Sequence, residues 1–466
     1  MAEKDSKRGQ TPMDVDKIME AEWVIPIIPK NTVFKDHAVV VKEGRIFDIL
    51  PRDRVEGKYR AAGGDHWKGG PSTVLLPGLI NAHTHAAMTL LRSYSDDVPL
   101  MEWLTQYIWP AEGAHVSAEF CEVGVRLAVA EMLRCGVTTF SDMYFFPEVT
   151  ARVVRECGVR ALVGIPVICF PNNWAQDGAD HLAKGKRARA EWEDKDHVTF
   201  CLAPHAPYTV DDATFASVRQ LLADESGLRM HIHLHETAKE VADGVEKDGV
   251  RPIARLDRLG VLTDRVIAVH MTALNEEEKQ ILLERGISVI HCPESNLKLA
   301  SGILDVADLV RRGVNVGLGT DGPACNDDQD ILGEVRTASL LSSFTAQQGG
   351  GRPLPPHVFL EMATINNARA LGLDDRLGSL EVGKAADIVA LHLLTEPVYN
   401  PIKNVAHVGT NEITDVWVAG RHLLRDRIVT CLDEPALRQA ALEWKQKISK
   451  TYKPVITESE HPSLIP

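Results

Sequence analysis

The chain has 466 residues, 44% hydrophobic and 25% charged, the make-up of an ordinary globular protein with a large core. A formal net charge of −14 speaks against a nucleic-acid backbone or an anionic membrane as the main partner. No apolar run reaches the ~18 residues of a membrane span, and the eight cysteines, without C-x-x-C spacing, read as reduced thiols in a cytoplasmic protein.

Residues 1–17 are charged, lack an apolar signal core and are expected to form a flexible tail. Residues 18–73 hold short alternating β segments, with a turn signal at Glu43-Gly44. From 74 to 375, eight apolar segments alternate with helical stretches: 74–85, 137–145, 160–168, 198–207, 229–236, 266–274, 288–295 and 314–322. Most are rich in Val, Ile or Leu, as strands buried on both faces must be. Between them, 117–136 has helical apolar spacing, and Asn275 with Glu278 three residues on marks a helix start. Strand and helix alternating in this way predict an α/β fold, a (β/α)8 TIM-like barrel. Residues 376–430 return to short β segments. Neither flank can build its own core, so both chain ends are expected to pack as one small β-sandwich domain. Residues 431–466 read as a terminal helix, over 436–452, and a tail.

Polar residues gather where the strands end. His83 and His85 close the first and Asp142 lies late in the second. His205 ends the fourth, His233, His235 and Glu236 the fifth, and His270 the sixth. His291 lies in the seventh and Asp321 ends the eighth. In a barrel these ends converge on one mouth. Residues i and i+2 of a strand share a side, so His83 and His85 present two imidazoles to one point. Catalytic zinc takes three protein ligands and leaves a place for water. The fifth strand offers His231, His233 and His235 on one face, and spacing does not choose among them. Asp321 precedes Gly322 and reads either as a turn residue or as a carboxylate ligand and base.

These motifs carry a resemblance. Pro77-Gly-Leu-Ile-Asn-Ala-His-Thr-His85, His233-Leu-His-Glu-Thr237, His270 and Leu318-Gly-Thr-Asp-Gly322 resemble the amidohydrolase superfamily. Ala86-Ala-Met-Thr-Leu-Leu-Arg92, Pro99-Leu-Met-Glu-Trp-Leu104 and Ile108-Trp-Pro-Ala-Glu112 are similar to one branch of it, the 5-methylthioadenosine/S-adenosylhomocysteine deaminases. So are Ala203-Pro-His-Ala-Pro-Tyr208 and Pro293-Glu-Ser-Asn-Leu-Lys-Leu299. The resemblance implies one Zn2+ per subunit on His83, His85, His233 and Asp321. It implies that Glu236 carries a proton from the attacking water to purine N1 and that His270 steadies the tetrahedral intermediate. Asp321 serves as the base, Glu112 holds the ribose hydroxyls, His205 contacts adenine and Trp103 walls the pocket. The expected reaction is hydrolytic deamination of the adenine of 5′-methylthioadenosine, S-adenosylhomocysteine or adenosine, by a cytoplasmic homodimer or homotetramer. The alternatives are an s-triazine or guanine-type aminohydrolase on the same scaffold, and a non-catalytic binding barrel.

Two departures stand out. The usual D-G-A-A-S-N of the family reads Asp321-Gly-Pro-Ala-Cys-Asn326. Counting without gaps from Arg160, Ile165 falls where some relatives carry an arginine for the homocysteine carboxylate. An aliphatic side chain makes no such charge-assisted fork, so a preference for methylthioadenosine is expected. Gly317-Leu-Gly-Thr-Asp-Gly322 matches a dinucleotide fingerprint, but as the last barrel strand it opens no βαβ unit.

Overall fold

The computed structural model describes residues 11–95, 98–349, 351–408 and 412–452. Eight parallel strands run in order round a barrel: β1 (Leu79–Thr84), β2 (Val137–Met143), β3 (Arg160–Val167), β4 (Val198–Pro204), β5 (Met230–Leu234), β6 (Val266–His270), β7 (Ser288–His291) and β8 (Val316–Leu318). The last strand meets the first where the Asp321 amide donates to the His83 carbonyl (3.0 Å). The helices between them start as the sequence leads one to expect. Ser117 caps Ala118–Arg134 by accepting from the Phe120 amide, and Asn275 with Glu278 completes a capping box on Glu276–Arg285.

Apolar residues fill the barrel away from its mouth. Ile80, Leu162, Cys201, Ile267 and Ile290 pack in one cluster with Ala368, Leu371 and Leu377. They come from β1, β3, β4, β6 and β7, strands spread round the barrel that share its interior. The other strand face packs outward on the helices, where Val163, Ile165, Ile232 and Val289 join the main core.

The chain ends form one nine-stranded sheet, in the order Ile428–Val429, Arg421–Arg425, Glu412–Val418, Ile388–His392, Thr73–Pro77, Lys17–Val24, Phe34–Lys42 and Arg45–Pro51, with His66–Lys68 on Lys17–Val24. The two flanks join where Ile388–His392 pairs antiparallel with Thr73–Pro77. The sheet folds over a shared core, in which the Trp67 and Trp417 rings meet edge-on at 5.3 Å.

Two expected boundaries shift. The segment 74–85 is not one strand, because Thr73–Pro77 belongs to the terminal sheet and only Leu79–Thr84 to the barrel. Gly78 makes the break possible, since a Cβ there would fall 2.1 Å from Thr138 Oγ1. The expected tail reaches too far: Met13–Val15 pairs with Tyr59–Ala61 and a strand begins at Lys17. The rest of that tail, residues 1–10, lies outside the described residues. The terminal helix spans Glu434–Ile448.

Candidate active site

The mouth gathers four metal-binding groups. His83, His85, His233 and Asp321 each offer one donor atom, all within 4.8 Å of one another. Asp321 Oδ1 lies 3.2 Å from Nε2 of His83 and 3.2 Å from Nε2 of His85, and His233 Nε2 lies 3.2 Å from His83 Nε2. The opposite ring nitrogens are already engaged. His85 Nδ1 donates to the Met143 carbonyl (2.5 Å) and His233 Nδ1 to the His205 carbonyl (2.7 Å). His83 Nδ1 meets His231 Nε2 at 3.0 Å, and His231 Nδ1 meets Ser141 Oγ at 3.1 Å. Tied in this way, the imidazoles aim their Nε2 atoms at one point. A dication at that point would take the place of the protons through which His83 and His85 otherwise bond Asp321. Three nitrogens and one carboxylate oxygen are a donor set that suits a borderline-soft dication such as zinc.

Burial opposes a charge on His85, yet Asp321 and the Met143 carbonyl outweigh it and raise its pKa to about 9. Burial lowers His83 to about 4. Burial likewise opposes a charge on Asp321, but hydrogen bonds from His83 and His85 hold it well below the usual carboxylate range. The carboxylate is therefore ionised and ready to ligate.

A cavity of about 270 Å3 opens from these donors. Glu236 lines it, raised by burial, with Oε1 accepting from Ser301 Oγ (3.0 Å) and Oε2 at 3.8 Å from His270 Nε2. His270 Nε2 also lies 3.9 Å from Asp321 Oδ2. His205 faces the same space with its pKa lowered to about 3 by burial and by His85 and His83, so its ring is neutral. Glu112, raised to about 7 by burial, accepts from Tyr144 OH (2.8 Å). Trp103, Leu104, Ile108, Trp109, Ile168 and Phe170 supply apolar wall. Three turning points, His235, His270 and Asp321, hold left-handed φ values of 51°, 75° and 64°. Such strain in non-glycine residues gathers at functional sites.

Comparison with known proteins agrees with this geometry. The family model described as Amidohydrolase family matches residues 74–423, most of the chain. The chain belongs to the amidohydrolase family. A 5-methylthioadenosine/S-adenosylhomocysteine deaminase of Teredinibacter turnerae is 40% identical over 438 residues, 93% of this chain and 98% of that protein. The corresponding deaminase of Saccharophagus degradans is 40% identical over 94% of this chain and 98% of its own length. Among solved structures, an adenosine deaminase from Xanthomonas campestris with bound zinc superposes with a TM-score of 0.91 at 45% identity, covering 94% of this chain and all of that one. A triazine hydrolase of Arthrobacter, at 21% identity and a TM-score of 0.82, shares the fold.

Within this amidohydrolase the mouth brings together His83, His85, His205, His233, Glu236, His270 and Asp321, with Glu112 and Trp103 along the cavity wall. Other strand-end residues serve elsewhere. Asp142 accepts from the Ala86 amide (2.9 Å) and Thr150 Oγ1 (2.9 Å), pinning the chain just after His85. His235 packs away from the metal donors, its Nδ1 3.2 Å from the Ala273 carbonyl. Ile165 does not face the cavity. Its side chain points outward, so close to the following helix that a Cβ on Gly185 would fall 2.0 Å from it. Pro166 and Ile168, of the other parity, face the cavity.

Spacing alone misses Tyr144, which holds Glu112, and Ser295, Asn296 and Ser301, which hold functional groups. Two of these lie inside the quoted motif Pro293-Glu-Ser-Asn, which carried the signal without the role.

Proposed function

We propose that the chain is a zinc-dependent hydrolase that deaminates adenine nucleosides, with 5′-methylthioadenosine preferred. One observation carries the reading: a single cavity joins the metal donors and Glu236 to the half-buried acceptor Glu112 through an apolar wall. A nucleoside matches it from end to end, with the adenine amino group at the donors and the ribose hydroxyls donating to Glu112. A free base brings Glu112 no donor beyond the Tyr144 hydroxyl it already has. Among the described lining residues there is no lysine or arginine to take the carboxylate of S-adenosylhomocysteine.

A zinc ion held by His83, His85, His233 and Asp321 supplies a Lewis acid that makes water acidic near neutral pH. Asp321, ionised, accepts a proton of the attacking water. Glu236, whose raised pKa makes it a competent acid, protonates N1 as oxygen adds to C6. His270 Nε2, between Glu236 and Asp321, hydrogen-bonds the oxygen that adds. The proton taken up by Asp321 then passes to the amino nitrogen, the C6–N bond breaks to release ammonia, and the hydroxyl proton goes to Glu236, leaving the inosine-type product and restoring both groups. The eight free cysteines support a cytoplasmic enzyme. Resemblance supports a homodimer or homotetramer.

The test follows ammonia and the fall in absorbance near the adenine maximum with the zinc-loaded enzyme. The expected order of kcat/KM is 5′-methylthioadenosine above S-adenosylhomocysteine by about tenfold or more, the scale of a lost charge-assisted partner. An equal or higher value for S-adenosylhomocysteine overturns the preference. Turnover of guanine or an s-triazine with none of any nucleoside overturns the substrate class.

A further inference from the structure

The segment that leaves β7 has a use beyond closing the barrel. Cys292 precedes a short helix, Pro293–Lys298, which ends in a turn where the Ser301 amide donates to the Asn296 carbonyl (2.9 Å). Because β7 lies between β6 and β8, this helix is flanked by His270, which ends β6, and Asp321, which follows β8. Neighbouring helix residues diverge by about 100°, so two consecutive side chains reach opposite flanks. Ser295 Oγ donates to Asp321 Oδ2 (2.7 Å). Asn296 Oδ1 accepts from His270 Nδ1 (2.8 Å). From the turn, Ser301 Oγ donates to Glu236 Oε1 (3.0 Å). All three side chains are buried.

Each contact selects an atom. Ser295 occupies Asp321 Oδ2 and leaves Oδ1 to face the two imidazoles at 3.2 Å. Asn296, as acceptor, takes the proton on His270 Nδ1 and turns Nε2 towards the cavity. Ser301 holds one Glu236 oxygen and leaves Oε2 on the His270 side. Stability alone does not account for Asn296. Its buried Nδ2 has no partner among the described residues, a cost of roughly 1–3 kcal/mol.

We propose that 293–301 is one positioning element for the reaction, in which Ser295, Asn296 and Ser301 orient Asp321, His270 and Glu236 respectively. This rests on the roles given to those groups above. None of the three is a catalytic residue, since each acts through another.

A role exercised through a partner vanishes once the partner is gone. Asn296→Ala in the zinc-loaded enzyme is expected to lower kcat for 5′-methylthioadenosine by about tenfold or more, with KM within about threefold. In a His270→Ala background the same change is expected to cost less than about twofold. Ser301→Ala is expected to behave alike against Glu236→Gln. Losses that multiply across the pairs overturn the proposal, as does a wild-type kcat in Asn296→Ala. Should Asn296→Ala fail to fold, Asn296→Leu, nearer in volume, enters the same cycle. Ser295→Ala removes a single oxygen and is read without turnover, by chelator competition. Zinc retention is expected to fall about tenfold or more, the usual range for an outer-shell partner, and unchanged retention overturns the proposal. If the unmodified enzyme releases no ammonia from any nucleoside, the proposed function fails, while the chelator measurement still decides the role of Ser295.

Discussion

The two ends of the barrel are built from the same eight strands on opposite terms. At the closed end Ile80, Leu162, Ile267 and Ile290 touch one another and Ala368, and any apolar set of the right volume serves. At the mouth nearly every side chain has one named partner: His85 the Met143 carbonyl, His233 the His205 carbonyl, Asp321 Ser295 and His270 Asn296. Dispersion contacts are many and weak, so the closed end tolerates exchange. Directed hydrogen bonds are few and specific, so the mouth does not. The difference predicts that substitutions at the mouth cost chemistry while substitutions at the closed end cost stability.

The sharpest attempt to break this division is Glu236→Gln. It keeps shape and leaves the zinc donors intact, so zinc content is expected to stay full while kcat falls about 10²–10⁴-fold, the range of a lost general acid–base. Full turnover with zinc bound would sink the assigned proton carrier. The complementary change is Ile267→Ala, fully buried at the closed end. A loss of about 2–5 kcal/mol of unfolding free energy is expected, measured by denaturant titration, with KM for 5′-methylthioadenosine unaltered. A changed KM would mean the closed end shapes the pocket after all.

A smaller effect separates the two ends of the substrate. Burial raises Glu112 to about 7, and the ribose hydroxyls proposed to donate to it would favour its charged form. Substrate affinity is therefore full above that pH and falls as Glu112 takes up a proton below it. KM for 5′-methylthioadenosine should rise towards about tenfold per pH unit below neutrality, and Glu112→Gln should raise KM and flatten the profile. A pH-independent KM in the unaltered enzyme would remove Glu112 from the ribose. The smallest effect belongs to the outer layer. Ile165→Val should lower stability by roughly 0.5–1.5 kcal/mol and leave the ratio of kcat/KM for methylthioadenosine and S-adenosylhomocysteine unchanged. A shifted ratio would return Ile165 to the pocket.

Much of this was legible in the chain. The two-residue period of a strand brings His83 and His85 to one point, and alternating segments announce the barrel whose mouth collects His233, His270 and Asp321. The glycines that mimic a dinucleotide fingerprint have a packing reason instead: a Cβ on Gly319 would fall 2.8 Å from the His83 backbone nitrogen. Ile165 was misread because β3 is buried on both faces. Val163 and Ile165 point outward and Leu162 inward, yet all are aliphatic, so composition does not mark the inner set. The split at Gly78 was hidden for a similar reason, since Thr73–Pro77 and Leu79–Thr84 are both wholly buried.

The sequence by itself determined the barrel, the strand-end clustering of its histidines and, through long motifs, the family. These rest on local periodicity and on residue chemistry, which a linear chain displays. Spacing left His231, His233 and His235 open and the motifs implied His233, while only the tertiary structure decided what His231 and His235 hold instead, which parity of β3 faces the cavity, and what Ser295, Asn296 and Ser301 hold. Those choices depend on how neighbouring strand ends are rotated and on chain segments that meet only after the barrel closes. The distance from Asn296 to His270 is set by folding, and the chain's spacing does not contain it.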